Sequence, residues 1–209
     1  MNKQAEDIKT IREMMEKSSK FQSLNGLSIA IAGIIALTGA VFAYFYMLQN
    51  RLNAYERDAA ELLEQHAAEI RTLFVIALFV LLCAVAVITF FTWLKARKNN
   101  QKLLNAITLR AAYNLLIPLA AGGIFSLIFL LKGNIEIVIS STLIFYGLGL
   151  VNASKYTFNE IHYLGIVQLV IGLFAAYFEQ NNILLWAVGF GFFHILFGII
   201  MYIKHDRKK

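Results

Sequence analysis

The chain has 209 residues, of which 59% are hydrophobic and 15% are charged, and its net charge is +6. Soluble domains average about 45–50% apolar and about 25% charged residues, whereas 134 residues of this chain lie in six stretches without Lys, Arg, Asp or Glu. Each stretch is 18 to 30 residues long, and a membrane-spanning helix needs about 20 mostly apolar residues. A soluble enzyme, a nucleic-acid-binding module and a disordered chain are therefore excluded.

The six stretches predict an all-α fold, a polytopic membrane helical bundle with six transmembrane helices. The predicted spans are residues 24–48, 72–94, 113–131, 136–153, 162–178 and 183–203. They form one transmembrane domain over 24–203, which follows an arm at 1–23 and precedes a basic tail at 204–209.

Lysine and arginine residues predict the orientation of this domain. When the segments between the spans are counted alternately, 15 of the 19 basic residues fall on the side that carries both termini and 4 fall on the other side. Cytoplasmic loops of membrane proteins collect Lys and Arg. Both termini are therefore predicted to be cytoplasmic, in a multi-pass protein of the inner (cytoplasmic) membrane.

The arm before the first span has the pattern of an amphipathic helix. Ile8, Ile11 and Met15 recur on one side of a helix whose other side is charged. Such a helix lies on the inner membrane surface or pairs with a second subunit. A partly disordered arm is the alternative that this short pattern leaves open.

The segment between the first two spans, residues 49–71, predicts a helical hairpin outside the cytoplasm. It contains no Gly or Pro, and one set of positions recurs at alternating spacings of three and four, which is the seam of a coiled coil. The seam positions are Leu52, Tyr55, Ala59, Leu62 and His66. We expect a helix continuous with the second span, paired through this seam with the same chain or with another.

Two cytoplasmic segments carry the charges next to the later spans. Residues 95–113 include five basic residues and no acidic one, and each basic residue near an anionic membrane surface contributes about 1 kcal/mol of attraction. Anionic lipids are the predicted partners there, with a specific acidic protein as the alternative. Lys155 and Glu160 flank the next cytoplasmic loop, and both are expected to stay solvated.

The third span contains Pro118, followed by Gly122 and Gly123. A proline inside a helix removes one backbone hydrogen bond and commonly produces a kink, so these residues make this span the most deformable of the six. The break would serve either as the hinge of a transport cycle or only as a fit to a crossing neighbour.

Glycines at regular spacing predict where helices pack closely. The first span carries a small-residue face that includes Gly33, and small residues let helix backbones approach each other in lipid. The fifth and sixth spans repeat one pattern, a glycine, a polar residue three positions later and a glycine after seven. The residues of the two patterns are Gly165, Gln168 and Gly172, and Gly191, His194 and Gly198.

Gln168 and His194 are candidates for an intramembrane polar site. The fifth and sixth spans run antiparallel, which places both side chains at similar depth, and Tyr146 of the fourth span lies at mid-depth as well. Polar groups inside a membrane are costly and often mark functional sites. A hydrogen-bonded cluster that only holds helices together is the other interpretation, and it is the favoured one.

Motifs of catalysis and cofactor binding are missing from the sequence. It has no nucleophile elbow, no phosphate-binding glycine loop, no Cys-x-x-Cys pair and no zinc-protease motif. We therefore expect no enzymatic activity, no cofactor, no metal site and no binding of nucleic acid.

Residues 117–123, 143–156 and 189–198 resemble an uncharacterised group of bacterial six-span inner-membrane proteins, and the similarity runs along most of the chain. The resemblance implies a fold and a location, and it assigns no functional residue. Two functions remain on the sequence alone. The first is a self-associating scaffold or an accessory subunit of another membrane protein; the second is a small transporter or channel with its site at Tyr146, Gln168 and His194.

Overall fold

The structure, a computed structural model, describes residues 24–53, 59–100, 104–178 and 182–207, with the backbone alone at 53 and 59–66. The predicted amphipathic helix of the arm lies outside the described residues. So do the side chains of the predicted seam, except that of Leu52, which is exposed.

Every long element within these ranges is helical, and none is a strand. The six helices are α1 (Gly26–Asn53), α2 (Ala59–Lys98), α3 (Ala106–Leu131), α4 (Ile135–Ala153), α5 (Asn159–Tyr177) and α6 (Asn182–Asp206). A short 3₁₀ turn at Ser154–Tyr156 joins α4 to α5. All six helices are long and apolar enough to cross a membrane.

Helix α2 is much longer than a bilayer requires. Its 40 residues extend about 60 Å at 1.5 Å per residue, twice the roughly 30 Å of the hydrocarbon core. Residues 59–71 and the apolar stretch that begins at Thr72 form one continuous helix. Of the helix predicted over residues 49–71, residues 59–71 belong to α2, whereas residues 49–53 are the end of α1 and residues 54–58 lie outside the described part of the chain.

The turn between α3 and α4 shows how a short connection reverses the chain. Gly133 has a φ of 78°, a left-handed conformation that glycine adopts without steric cost. The amides of Gly133 and Asn134 donate to the carbonyls of Leu130 and Phe129, which is the Schellman arrangement at a helix end. Lys132 is exposed in this turn.

The bundle is organised around α1, α4, α5 and α6. Helix α6 packs against α1, α4 and α5, whereas α2 packs mainly on α1 and α3 mainly on α4. In the most apolar windows of α2 and α3, 6% of the residues are buried, against 56% in α1. Helices α2 and α3 are therefore peripheral and expose most of their surface to the surrounding lipid.

Glycines seven residues apart bring α1 and α6 together. A Cβ at Gly26 would lie 2.7 Å from the carbonyl oxygen of Gly198, and a Cβ at Gly33 would lie 2.8 Å from that of Gly191. Two seven-residue repeats that run in opposite directions keep both pairs in register, so the backbones touch along two turns. Close backbone approach of this kind stabilises helix pairs in lipid.

Helices α4 and α5 pack in a similar way. A Cβ at Gly165 would lie 2.9 Å from the carbonyl oxygen of Gly147, and a Cβ at Gly172 would lie 2.7 Å from the side chain of Ile144. The structure thus places all five glycines singled out in the sequence, at positions 33, 165, 172, 191 and 198, against a neighbouring helix of the same chain.

Helix α3 passes Pro118 without interruption. Gly122 lies against the ring of Phe145 on α4, whereas a Cβ at Gly123 would meet no atom within 4 Å. The missing Cβ at Gly122 therefore fits a crossing neighbour, which was one of the two interpretations of this segment. The other, a hinge at Pro118, stays a prediction.

Helix α6 contains two wider turns. It is α-helical at Asn182–Trp186 and His194–Met201, and π-helical at Ala187–Phe193 and Tyr202–Asp206. Single π turns inside helices occur frequently at functional sites. The first of these turns contains Gly189, whose carbonyl bonds side chains and is central to the candidate site.

Candidate functional site

Three helices place one polar side chain each in the interior of the bundle. Tyr146 comes from α4, Gln168 from α5 and His194 from α6, at the end of its first π turn. Gln168 is fully buried and His194 is 4% exposed. The structure brings the three predicted site residues together into one group, which we call the polar cluster (Tyr146, Gln168, Gly189 and His194).

Hydrogen bonds connect every member of the polar cluster. The hydroxyl of Tyr146 shares a hydrogen bond with Nε2 of His194 at 2.9 Å. Nε2 of Gln168 donates to the carbonyl of Gly189 at 2.7 Å and lies 3.2 Å from Nδ1 of His194. That Nδ1 is 3.1 Å from the same carbonyl.

Both neutral tautomers of His194 fit this geometry. With the proton on Nδ1, the imidazole donates to the Gly189 carbonyl, and Tyr146 donates to Nε2. With the proton on Nε2, the imidazole donates to Tyr146, and Gln168 donates to Nδ1. A neutral side chain is satisfied either way, and a buried imidazolium would have no carboxylate among its hydrogen-bond partners in the described residues to offset its desolvation.

Aromatic rings enclose the imidazole. The ring of His194 stacks on those of Tyr146 and Phe190, with centroid distances of 5.5 and 5.7 Å. Phe190 also contacts Tyr146 at 5.0 Å and Trp186 at 4.8 Å.

The glycines beside Gln168 and His194 contact a different helix from the one that the polar residue bonds. Gly165 and Gly172 lie against α4, but Gln168 bonds α6; Gly191 and Gly198 lie against α1, but His194 bonds α4 and α5. A residue three positions after a glycine lies about 60° to one side of it on a helix with 3.6 residues per turn. Each polar side chain therefore faces a different neighbouring helix from the one that the flanking glycines contact.

Gly189 belongs to the polar cluster although the sequence patterns did not single it out. A Cβ there would lie 2.7 Å from Oε1 of Gln168 and 2.6 Å from the side chain of Leu143. Oε1 itself has no hydrogen-bond partner in the described residues. The signal that could have found Gly189 is its position five residues before His194, the spacing of a π turn.

An apolar cleft of ≈ 740 Å³ lies elsewhere, between α2 and α4 and against α1. Its walls include Gly39, Ala77, Val138 and Trp186, and none of the side chains of Tyr146, Gln168 and His194 lines it. The largest polar interior group and this cleft are therefore separate features of the bundle.

An ion pair and a hydrogen bond of Asp206 tie the end of α6 to α2 and α1. Asp206 pairs with Lys95 of α2 at 2.6 Å, and its other oxygen accepts a hydrogen bond from the amide of Gly26 at 2.8 Å. Nζ of Lys95 also donates to the carbonyl of Leu24 at 2.7 Å. These contacts place the start of α1 and the end of α6 at the same end of the bundle, which we call the terminal end.

The expectation that Glu160 stays solvated is wrong. Glu160 is buried at the start of α5, where it accepts from Lys204 at 2.6 Å and lies 3.3 Å from Nε2 of His205. The ring of His205 stacks on Phe158 with a centroid distance of 4.2 Å. Packing of α6 against α5 covers the carboxylate and supplies its partners, which no local sequence pattern reveals.

No group of three or more His, Cys, Asp or Glu side chains that could hold a metal ion occurs within the described ranges. The chain matches no protein-family model, no curated protein and no solved structure. Its class therefore rests on the helices themselves, which define a multi-pass helical membrane protein. The resemblance to a bacterial group stays a prediction.

Proposed function

We propose that this protein is a non-enzymatic scaffold or accessory subunit of the inner membrane, which works by associating with further copies of itself or with another membrane chain. The observation that supports this most is the closed state of the polar cluster. Tyr146, Gln168 and His194 bond one another and the Gly189 carbonyl, inside a ring of aromatic side chains. These hydrogen bonds hold three helices together, and Oε1 of Gln168 is the one side-chain acceptor of the cluster without a partner in the described residues.

The peripheral helices offer the surface for association. The glycine faces of α1, α4, α5 and α6 are occupied within the chain, so a partner would bind through them only if the bundle opened. Helices α2 and α3 each pack mainly on one neighbour. The seam predicted from the sequence between the first two spans would add an apolar stripe beyond the bilayer, where water favours its burial against a partner.

The terminal end is proposed as the cytoplasmic end of the bundle. Arg97 and Lys98 are exposed at the end of α2, on the side that holds most of the basic residues of the chain. Clusters of basic residues favour the cytoplasmic side and attract anionic lipids there. Anionic lipids would therefore bind at this end together with the partner chain.

A transporter or channel with its site at the polar cluster is the second candidate. Oε1 of Gln168 is buried without a hydrogen-bond partner in the described residues, and an unsatisfied buried acceptor costs about 1–3 kcal/mol. It lies next to a π turn, a feature frequent at functional sites. A bound solute or proton donor at Oε1 would offset that cost.

The substitution His194→Leu separates the two candidates, with Tyr146→Phe as a smaller change in the same hydrogen bond. In the scaffold, each lost interhelical hydrogen bond lowers the free energy of unfolding by about 0.6–2 kcal/mol, so His194→Leu destabilises more than Tyr146→Phe. Denaturant titration of the full chain in nanodiscs measures this. Unchanged stability together with loss of solute or proton flux in proteoliposomes would reject the scaffold and favour the transporter.

A further inference from the structure

The apolar cleft has walls from five helices and lies at the end of the bundle opposite the terminal end. It includes Ile70 to Val80 on α2, Ile135 to Thr142 on α4, and Ile183 near the start of α6. Leu130 and Ile135, on either side of the α3–α4 turn, also line it. The cleft therefore begins where these helices end and runs inward along them.

The length of the cleft corresponds to one leaflet of a bilayer. From Ile70 to Val80, α2 rises about 15 Å at 1.5 Å per residue, and half of the roughly 30 Å hydrocarbon core is also about 15 Å. The medium around these helices at this depth is lipid, so the molecules that reach the cleft from the side are acyl chains.

The lining has the chemistry of an acyl-chain site. Almost all of its side chains are apolar. The hydroxyl of Thr142, one of the polar exceptions, already donates to the carbonyl of Ile139 at 2.7 Å. The wall of α1 is made of small residues, Gly39, Ala40 and Ala43, and Val80 of α2 packs into the space that Gly39 leaves.

Charged residues lie at the rim, where a headgroup would be. Arg71 is exposed on α2 next to the lining residue Ile70, and Lys132 is exposed in the α3–α4 turn. Glu136 lies in the first turn of α4, and Oδ1 of Asn182 is buried without a hydrogen-bond partner in the described residues. Two cations suit a phosphate, and Asn182 offers an acceptor to an ammonium or hydroxyl donor of a headgroup.

We propose that the cleft binds one acyl chain of a bilayer phospholipid, with the phosphate of that lipid held near Arg71 and Lys132 at the rim. The site is independent of the association proposed above, because it needs only the single chain. It gives the bundle a fixed lipid between α2 and α4, where α2 packs mainly on α1.

The test uses full-length protein in nanodiscs of phosphatidylethanolamine and phosphatidylglycerol that contain a phosphatidylglycerol with a diazirine in one acyl chain. After photolysis, mass spectrometry maps the labelled peptides. The proposal expects label concentrated on residues 70–80 and 135–142. Label spread evenly over the exposed sides of α2 and α3 would overturn the proposal.

Two matched substitutions sharpen the result. Ala77 is an exposed lining residue of α2, and Ala86 is an exposed residue of the same helix that does not line the cleft. Ala77→Phe fills the cleft and should lower its labelling about tenfold, a change of about 1.4 kcal/mol in binding, whereas Ala86→Phe should leave it unchanged. Equal labelling of the two variants would contradict the site. The site would also be contradicted if the probe labelled the cleft only in dimers in which α2 is cross-linked to a second copy of the chain.

The rim is tested separately by Lys132→Gln. If the phosphate is bound there, cleft labelling by the phosphatidylglycerol probe falls while the overall labelling of α2 and α3 stays the same. Cleft labelling that does not respond to Lys132→Gln or to Arg71→Gln would reject the headgroup part of the proposal.

Discussion

Gly189 determines whether Gln168 and His194 can share one backbone carbonyl. The hydrogen at its Cα leaves room for Oε1 of Gln168, since a Cβ would lie 2.7 Å from that oxygen. The same missing side chain admits Leu143, which is completely buried. One small residue thus supports both the hydrogen bonds and the packing of the polar cluster.

Gly189→Ala should therefore destabilise the protein by about 1–3 kcal/mol, the usual cost of overpacking a filled interior. Gly123→Ala is its matched control, because a Cβ at Gly123 meets no atom within 4 Å and alanine is the better helix former. Denaturant titration in nanodiscs compares them. A Gly189 variant as stable as the Gly123 variant would show that the cluster tolerates a side chain at this point.

Individual residues also show how far the sequence leads. Tyr146, Gln168 and His194 were singled out because polar residues at mid-depth are rare and because glycines flank two of them. The sequence does not predict the hydrogen bonds among these three residues, because they depend on a π turn in α6 and on which neighbouring helix each helix face contacts. The local sequence predicts a solvated Glu160, because the residues that cover it and pair with it lie more than forty positions away in the chain.

At the scale of helices, α6 connects the bundle. It carries the glycines that contact α1, the histidine that bonds α4 and α5, and the charged residues that bind α2 and α5. The pair between Asp206 and Lys95 is well covered, with side-chain exposures of 10% and 12%. In the pair between Glu160 and Lys204, the lysine is 62% exposed.

These two pairs should respond differently to neutral substitution. Asp206→Asn leaves the covered ammonium of Lys95 without its counter-charge, and breaking a buried pair in this way costs about 3–5 kcal/mol. Lys204→Gln removes a largely exposed charge, worth about 0–1 kcal/mol, and it leaves His205 beside the carboxylate of Glu160. Unfolding free energies of the two variants provide the comparison, and similar losses would mean that the difference in burial is not what sets the strength of these pairs.

At the scale of the whole molecule, the exposed helix α2 is where association is expected. The most apolar windows of α2 and α3 have the smallest share of buried residues among the six helices. Within the window of α2, the side chain of Phe79 is 67% exposed. The chain has one cysteine, Cys83, so a Cys83→Ser background permits single-site cross-linking.

In that background, Phe79→Cys should yield disulfide-linked dimers when native membranes are oxidised, because a second copy would cover this face of α2. Phe192→Cys on α6, where the phenylalanine is 55% exposed, should yield far fewer. Gel electrophoresis without reductant measures the dimer fraction. Equal yields at the two positions would indicate random collision, and no dimer at either would leave a different membrane chain as the partner.

The sequence by itself determined six helices that are long and apolar enough to cross a membrane, because the length of an apolar stretch and the absence of charge are local properties of the chain. It also identified five of the glycines that pack against a neighbouring helix, since small residues at a spacing of seven keep the same face of a helix. Only the tertiary structure decided which helices those faces meet, that Glu160 and Asp206 are paired, and that a cleft of one-leaflet depth opens beside α2. Those features depend on contacts between residues far apart in the chain, and no local pattern of hydropathy or charge specifies such contacts.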